Sequence, residues 1–201
     1  MIKLAFLASN NGTSLRAIVA AIEAGVLDAE ARLVVSNRKS SPALAFARDH
    51  GIAAQVIPTA ADPRAADERL ARALTLAGAE WVILSGYLRK LGPRTLEEYA
   101  GRILNIHPAL LPSHGGRGMY GRRVHEAVIA AGDGVTGASV HLVDDEYDHG
   151  KVLTRIEMPV TPRDTPESIE RRVMAAEPEL FVMTLQAIAA GTLRPTRSAG
   201  A

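Results

Sequence analysis

Short apolar runs alternate along the first half of the chain with segments in which apolar residues recur every three to four positions. The short runs predict β-strands, and the longer period predicts amphipathic helices between them. Strands are predicted at 4–8, 32–36, 54–57, 81–84 and 103–107, and helices at 15–22, 42–50, 63–76 and 93–99. This alternation favours an α/β fold with a largely parallel sheet and right-handed crossovers.

The second half of the chain departs from this alternation. A short helix is predicted at 124–131, a strand at 137–143, and an antiparallel partner strand at 152–157. A long helix begins at Thr165, and Pro178 within it predicts a kink near Glu177, because proline removes a backbone hydrogen bond. Two apolar helix faces are expected: Leu70, Leu74 and Leu76 in the third helix, and Ile169, Val173, Ala176, Leu180, Met183 and Ala187 in the last.

These elements predict one Rossmann-like, doubly wound domain over residues 1–193. Its sheet is mostly parallel and carries an antiparallel C-terminal extension and a long C-terminal helix. Residues 194–201 are expected to form a flexible tail. No internal repeat and no linker divides the chain.

Composition limits the class of protein further. Of 201 residues, 47% are hydrophobic and 22% charged, so a sizeable core is expected, and aliphatic side chains must fill it because only 4% are aromatic. A net charge of +1 gives no case for a nucleic-acid partner. The absence of cysteine excludes disulfides, thiolate metal sites and thiol nucleophiles. The first apolar run is too short for a signal peptide, and no stretch reaches a membrane span, so a cytoplasmic protein is expected. The expected assembly is a monomer or homodimer.

The stretch 103–112 holds the first candidate chemistry. Asn105 and His107 are two positions apart on a predicted strand, so both side chains lie on one face. Pro108 then blocks further pairing, and ligands of open α/β sheets bind at such carboxyl ends. An amide and an imidazole there could stabilise the charge that a carbonyl oxygen gains under attack. On spacing alone, a histidine that merely caps backbone groups is the favoured interpretation.

The polar turn at 9–14 is the second candidate site. A turn between a strand and a helix binds anions through backbone N–H groups, and Gly12, Thr13 and Ser14 could contact a phosphate. One glycine, instead of the three of a dinucleotide fingerprint, favours a single phosphate group. A capped helix without a ligand is the alternative. Arg64, judged by itself, is a solvated charge at a helix start.

Three motifs then follow in order: I-L-N-I-H-P at 103–108, G-A-S-V-H at 137–141, and the acidic loop D-D-E-Y-D-H-G at 144–150. Together they resemble the folate-dependent formyltransferases over nearly the whole chain. The turn at 11–15, Arg64, the turn at 86–89 and the lack of room for a second domain are similar to the phosphoribosylglycinamide branch. The tRNA-formylating and deformylase branches carry an extra domain.

The resemblance implies a reaction and a set of residues. A formyl group would pass from 10-formyltetrahydrofolate to the amine of 5-phosphoribosylglycinamide, in purine synthesis and without a metal. By resemblance, Asn105, His107 and Asp148 are catalytic: the first two stabilise an oxyanion and the third orients His107 and relays a proton. The positions for binding are Gly12, Thr13 and Ser14 for the phosphate, Glu177 for the glycinamide, and Arg64, Leu88, Arg89, Lys90, Leu91, Asn105 and Val143 for the folate.

The chain also departs from the family pattern. Asn10 and Ser14 replace the usual Gly and Asn of the phosphate turn, and 120–123 replaces a histidine-rich segment. Contacts of the glycine-rich loop 114–123 therefore cannot be carried over. Other 10-formyltetrahydrofolate enzymes, of the tRNA formyltransferase or deformylase type, remain alternatives, as does a non-catalytic folate- or nucleotide-binding module.

Overall fold

A computed structural model describes residues 1–195, in which helices and strands alternate. The strands are β1 (Ile2–Leu7), β2 (Ala29–Ser36), β3 (Ala53–Val56), β4 (Trp81–Leu84), β5 (Ile103–His107), β6 (Val135–Leu142) and β7 (Val152–Pro159). The helices are α1 (Thr13–Glu23), α2 (Pro42–Asp49), α3 (Pro63–Leu76), α4 (Pro93–Glu98), α5 (Arg122–Ala131) and α6 (Pro166–Ala189). None of the helices in this described part is long and apolar enough to cross a membrane.

The strands form one seven-stranded sheet in the order β3-β2-β1-β4-β5-β6-β7. β1 to β5 pair in parallel, whereas β6 pairs antiparallel with both β5 and β7. The predicted Rossmann-like sheet with an antiparallel extension is confirmed. Strand order reverses between β1 and β4, and in such sheets the crevice outside the carboxyl ends at this point receives the ligand.

Apolar side chains on both faces of the sheet form two cores. In β1, Leu4 and Phe6 belong to one core and Ala5 and Leu7 to the other, as the period of two requires. The first core is closed by residues of α1, α2, α5 and α6, and the second by residues of α3. Helices on both faces explain why β1 reads as a continuous apolar run.

Two side chains differ from the sequence prediction. Leu76 is 75% exposed, because it lies two residues beyond Leu74 and so on the opposite side of α3. Met183 is 56% exposed. α6 runs unbroken through Pro178, after which its buried side chains are Leu180, Phe181, Thr184, Leu185 and Ile188. Of the predicted tail, residues 196–201 lie outside the described residues.

Candidate active site

The carboxyl end of β5 gathers polar side chains from two strands and a loop. Asn105 and His107 lie on β5, and the antiparallel register places His141 opposite Asn105 and Ser139 opposite His107. The Ser139 hydroxyl donates to the carbonyl of Ala109 at 2.8 Å, so β6 also anchors the turn that leaves β5. The predicted shared face of Asn105 and His107 is therefore extended by side chains of β6.

Asp148 lies between two buried imidazoles. Its Oδ2 is 3.5 Å from Nδ1 of His107, and its Oδ1 is 3.5 Å from Nε2 of His141. The backbone N–H of Gly116 donates to Oδ2 at 3.0 Å. Burial acts to raise the pKa of Asp148, but the neighbouring imidazoles of His141 and His107 and the Gly116 N–H bring it below its ordinary value. The carboxylate is thus held in its ionised form.

His107 is 3% exposed and has protein partners at both ring nitrogens. Its Nε2 is 2.8 Å from the carbonyl oxygen of His114, and its Nδ1 faces Asp148. A carbonyl only accepts, so Nε2 must carry a hydrogen. Burial lowers the pKa of His107, although the charge of Asp148 and the His114 carbonyl act in the opposite direction.

His141 fixes the amide of Asn105. Nδ1 of His141 lies 2.8 Å from the carbonyl oxygen of Leu142 and must donate to it. In the neutral ring, Nε2 is then a bare acceptor, and it lies 3.1 Å from Nδ2 of Asn105. The amide group therefore points its nitrogen towards β6, and one of its two hydrogens remains for another acceptor.

The predicted phosphate turn lies at the carboxyl end of β1. Gly12 is the N-cap of α1 with φ 66°, a left-handed conformation that suits glycine. The N–H of Leu15 donates to the Ser85 hydroxyl at 2.9 Å, whereas the N–H groups of Thr13 and Ser14 have no acceptor within residues 1–195. Two strand spacings separate β1 from β5, roughly 10 Å. The turn can therefore hold an anion on a molecule that also reaches the β5 cluster.

The predicted folate positions fall into different environments. The N–H of Leu88 donates to the Ser9 hydroxyl at 2.8 Å, and its side chain is 53% exposed. Arg89 and Lys90 are exposed, and Val143 is partly buried against the second core. Leu91 is buried within that core, so its side chain packs rather than lining a cleft. An open cavity of about 580 Å³ is lined by Lys90, Gly116, Arg117, Asp145, Glu146 and Tyr147.

No hydrogen bond or ion pair within residues 1–195 joins Arg64 or Glu177, two of the predicted site residues, to the β5 cluster. Arg64 is 92% exposed and lies 3.4 Å from Glu68, one helical turn further on. Glu177 lies in α6, and burial raises its pKa to about 7. No group of His, Cys, Asp or Glu side chains in the described part of the chain is arranged to hold a metal ion.

Sequence reasoning missed three residues next to the cluster. His114 follows β5, and its Nε2 lies 2.5 Å from Oδ2 of Asp133, which follows α5. His125 of α5 is 1% exposed, and its Nδ1 has no partner within residues 1–195. The G-A-S-V-H motif marked His141 itself, but only the register of β6 against β5 reveals its contact with Asn105.

Comparison with known proteins identifies the family. The formyl transferase family model matches residues 2–185. The chain is 37% identical over 190 residues to the chloroplastic phosphoribosylglycinamide formyltransferase of Arabidopsis thaliana, covering 92% of this chain but only 65% of that relative, less than two thirds of its length. It is 35% identical to the phosphoribosylglycinamide formyltransferase of Escherichia coli, covering 94% of this chain and 87% of the relative.

Solved structures agree with the sequence comparison. The crystal structure of glycinamide ribonucleotide transformylase 1 from Symbiobacterium toebii superposes with a TM-score of 0.86 at 33% identity. The match covers 95% of this chain and 89% of that one. The chain belongs to the formyl transferase family, in the branch that contains the phosphoribosylglycinamide formyltransferases.

Proposed function

We propose that this protein transfers the formyl group of 10-formyltetrahydrofolate to the amine of 5-phosphoribosylglycinamide, a step of purine biosynthesis. The observation that carries the proposal is the convergence of Asn105, His107 and Asp148 at the end of β5. The chain is also 35% identical to the phosphoribosylglycinamide formyltransferase of Escherichia coli, over 94% of its own length.

The chemistry is a direct transfer between two nitrogens. The amine nitrogen attacks the formyl carbon, the carbonyl oxygen takes the negative charge, and the bond from carbon to the folate nitrogen then breaks. The amine loses one proton and the departing folate nitrogen gains one, so the products are the formylated amide and tetrahydrofolate. The protein must stabilise the oxyanion and move that proton.

Asn105 is suited to stabilise the oxyanion. His141 engages one hydrogen of its Nδ2, which leaves the other for the formyl oxygen. His107 is less available, because Nε2 already has the His114 carbonyl and Nδ1 faces Asp148. Removing one such donor typically costs about 3–4 kcal/mol of barrier. These hydrogen-bond partners support Asn105 as the principal donor to the oxyanion in this conformation. His107 would donate only after its Nε2 leaves the His114 carbonyl.

His107 and Asp148 are suited to hold the proton. With Nε2 protonated, the neutral ring presents a bare Nδ1 beside the Asp148 carboxylate. A proton that arrives at Nδ1 gives an imidazolium whose two N–H groups both have acceptors: the carboxylate and the His114 carbonyl. This pairing offsets the cost of charging a buried ring. General acid–base catalysis of this kind contributes about 10²–10⁴-fold.

The remaining contacts bind and align the substrates. The turn at Gly12, Thr13 and Ser14 would hold the phosphate, and Glu177 the glycinamide. The folate would lie against Val143 and the segment 88–91 after β4, with Arg64 at the rim. Holding the amine and the formyl carbon side by side lowers the barrier by proximity alone.

The test is an assay of tetrahydrofolate release from 10-formyltetrahydrofolate with and without 5-phosphoribosylglycinamide. We expect release only with the ribonucleotide, in one-to-one ratio with formylated product. Equal release of formate without the ribonucleotide would make the protein a deformylase. Binding of both ligands without turnover would make it a non-catalytic module.

A further inference from the structure

We propose that His114 and Asp133 are positioning residues that fix which ring nitrogen of His107 carries the proton. Neither residue belongs to the three resemblance motifs, and within residues 1–195 the side-chain contacts of Asp148 are with His107, His141 and the Gly116 N–H instead. Their effect on catalysis rests on the proposed function, whereas their effect on the His107 ring does not depend on it.

His114 contacts the site and α5 at the same time. Its carbonyl oxygen lies 2.8 Å from Nε2 of His107, and its own Nε2 lies 2.5 Å from Oδ2 of Asp133. Asp133 is fixed in turn to α5, because its N–H donates to the carbonyl of Val128 at 3.3 Å. The pair thus connects the loop after β5 to the end of a helix.

The loop needs such a connection. His114 has φ 54°, a left-handed conformation that few non-glycine residues adopt, and it precedes Gly115, Gly116, Gly118 and Gly121. Glycines leave the backbone free to take other conformations. Gly116 is held at the far side by Asp148, at 3.0 Å. The His114–Asp133 pair is thus a second side-chain contact of the loop, made by the residue whose carbonyl faces His107.

Two acceptors compete for the single proton of the neutral His107 ring. Asp148 favours a hydrogen on Nδ1, and the His114 carbonyl favours a hydrogen on Nε2. The contact to Asp148 is 3.5 Å, beyond good hydrogen-bond geometry, whereas the contact to the carbonyl is 2.8 Å. The shorter contact decides, so Nε2 is protonated and Nδ1 is left bare to receive a proton. If the carbonyl is released, Asp148 draws the hydrogen to Nδ1 and the ring can no longer accept there.

The experiment reads the tautomer directly. In protein with 15N-labelled histidine, the ring nitrogen shifts of His107, assigned by their loss in His107→Asn, report which nitrogen carries hydrogen. Asp133→Asn removes the charge of the pair and keeps its shape. His114→Asn removes the imidazole with a residue that also tolerates the left-handed conformation. Glu23→Gln is the matched control, because Glu23 pairs with His50 at 2.6 Å on an exposed surface.

We expect the unmodified protein and Glu23→Gln to show His107 protonated at Nε2. Asp133→Asn and His114→Asn should shift the population towards Nδ1. With both substrates saturating, kcat should fall about tenfold, less than the loss of an acid–base group itself, while KM for each substrate stays nearly constant.

The proposal is overturned if His107 of the unmodified protein carries its hydrogen on Nδ1, or if neither variant changes the tautomer. Should Asp133→Asn fail to fold, as judged by near-UV circular dichroism, His114→Asn decides. Absence of formyl transfer by the unmodified protein would contradict only the proposed function, because the spectra are recorded without substrate.

Discussion

Asp148→Asn is the substitution that most sharply tests the proposed proton path. Asn has nearly the same size, and it tolerates the left-handed backbone that Asp148 adopts at φ 56°. Its side-chain oxygen can still accept the N–H of Gly116, now at 3.0 Å from Oδ2. The substitution therefore removes the charge between His107 and His141 and leaves the loop in place.

The distances set the size of the effect. Two unit charges 3.5 Å apart, as in a protonated His107 beside Asp148, attract by about 5 kcal/mol at an effective dielectric constant of about 20. The amide dipole of Asn keeps part of this interaction, and we expect about half of it to be lost. A barrier higher by about 2–3 kcal/mol corresponds to a kcat lower by about 10²-fold.

The assay is steady-state tetrahydrofolate release with both substrates saturating, so that kcat is separated from binding. Asp145→Asn is the matched control, because Asp145 is an exposed carboxylate of the same loop without a contact to either imidazole. We expect its kcat to change little. Equal loss of kcat in the two variants would show that the loop acts only as a diffuse negative charge, and would refute the assignment of Asp148.

Four further variants test the rest of the protein. Asn105→Ala and His107→Ala should each remove most turnover, by about 10²-fold or more, without unfolding the protein; near-normal kcat in Asn105→Ala would exclude it as the oxyanion donor. Thr13→Ala combined with Ser14→Ala should raise KM for the ribonucleotide and leave KM for the folate nearly unchanged, whereas an equal rise in both would indicate a damaged fold. Burial raises the pKa of Glu177 from its ordinary value of 4.5 to about 7, so the folded state keeps a proton that the unfolded state releases. Stability should therefore fall by at most about 3 kcal/mol as pH rises from about 5 to about 7, and urea titrations of Glu177→Gln should lack that loss.

The element pattern was predictable because strands buried on both faces and helices buried on one face leave different periods. β1 is covered on both sides, and its run from Leu4 to Ala8 reads accordingly. The prediction failed for Met183, because it assumed that one line of side chains is buried along the whole of α6. Which side chains are buried after Pro178 depends on the elements that pack against each turn of α6, and the sequence of α6 alone does not identify those elements.

The site was predictable only where local geometry decides it. The shared face of Asn105 and His107 follows from their spacing of two, whatever the sheet order. The contact between Asn105 and His141 instead requires the antiparallel register of β6 with β5, across 36 positions. Leu91 shows a different difficulty. An apolar residue in a loop fits both a ligand contact and the core, and the side chain of Leu91 lies in the core.

The backbone conformations of two residues beside His107 could not be predicted from sequence patterns. Within residues 1–195, the non-glycine residues with positive φ are His114 and Asp148, and both contact His107. Sequence rules assign such conformations to glycine, since other residues adopt them at a cost of order 1–3 kcal/mol. The conformations persist here because tertiary contacts hold each residue: Asp133 for His114, and the N–H of Gly116 for Asp148. The partners of both His107 nitrogens thus depend on two strained residues whose backbone no local pattern specifies. The resemblance indicated Asp148 as one partner, whereas the His114 carbonyl as the other required the structure.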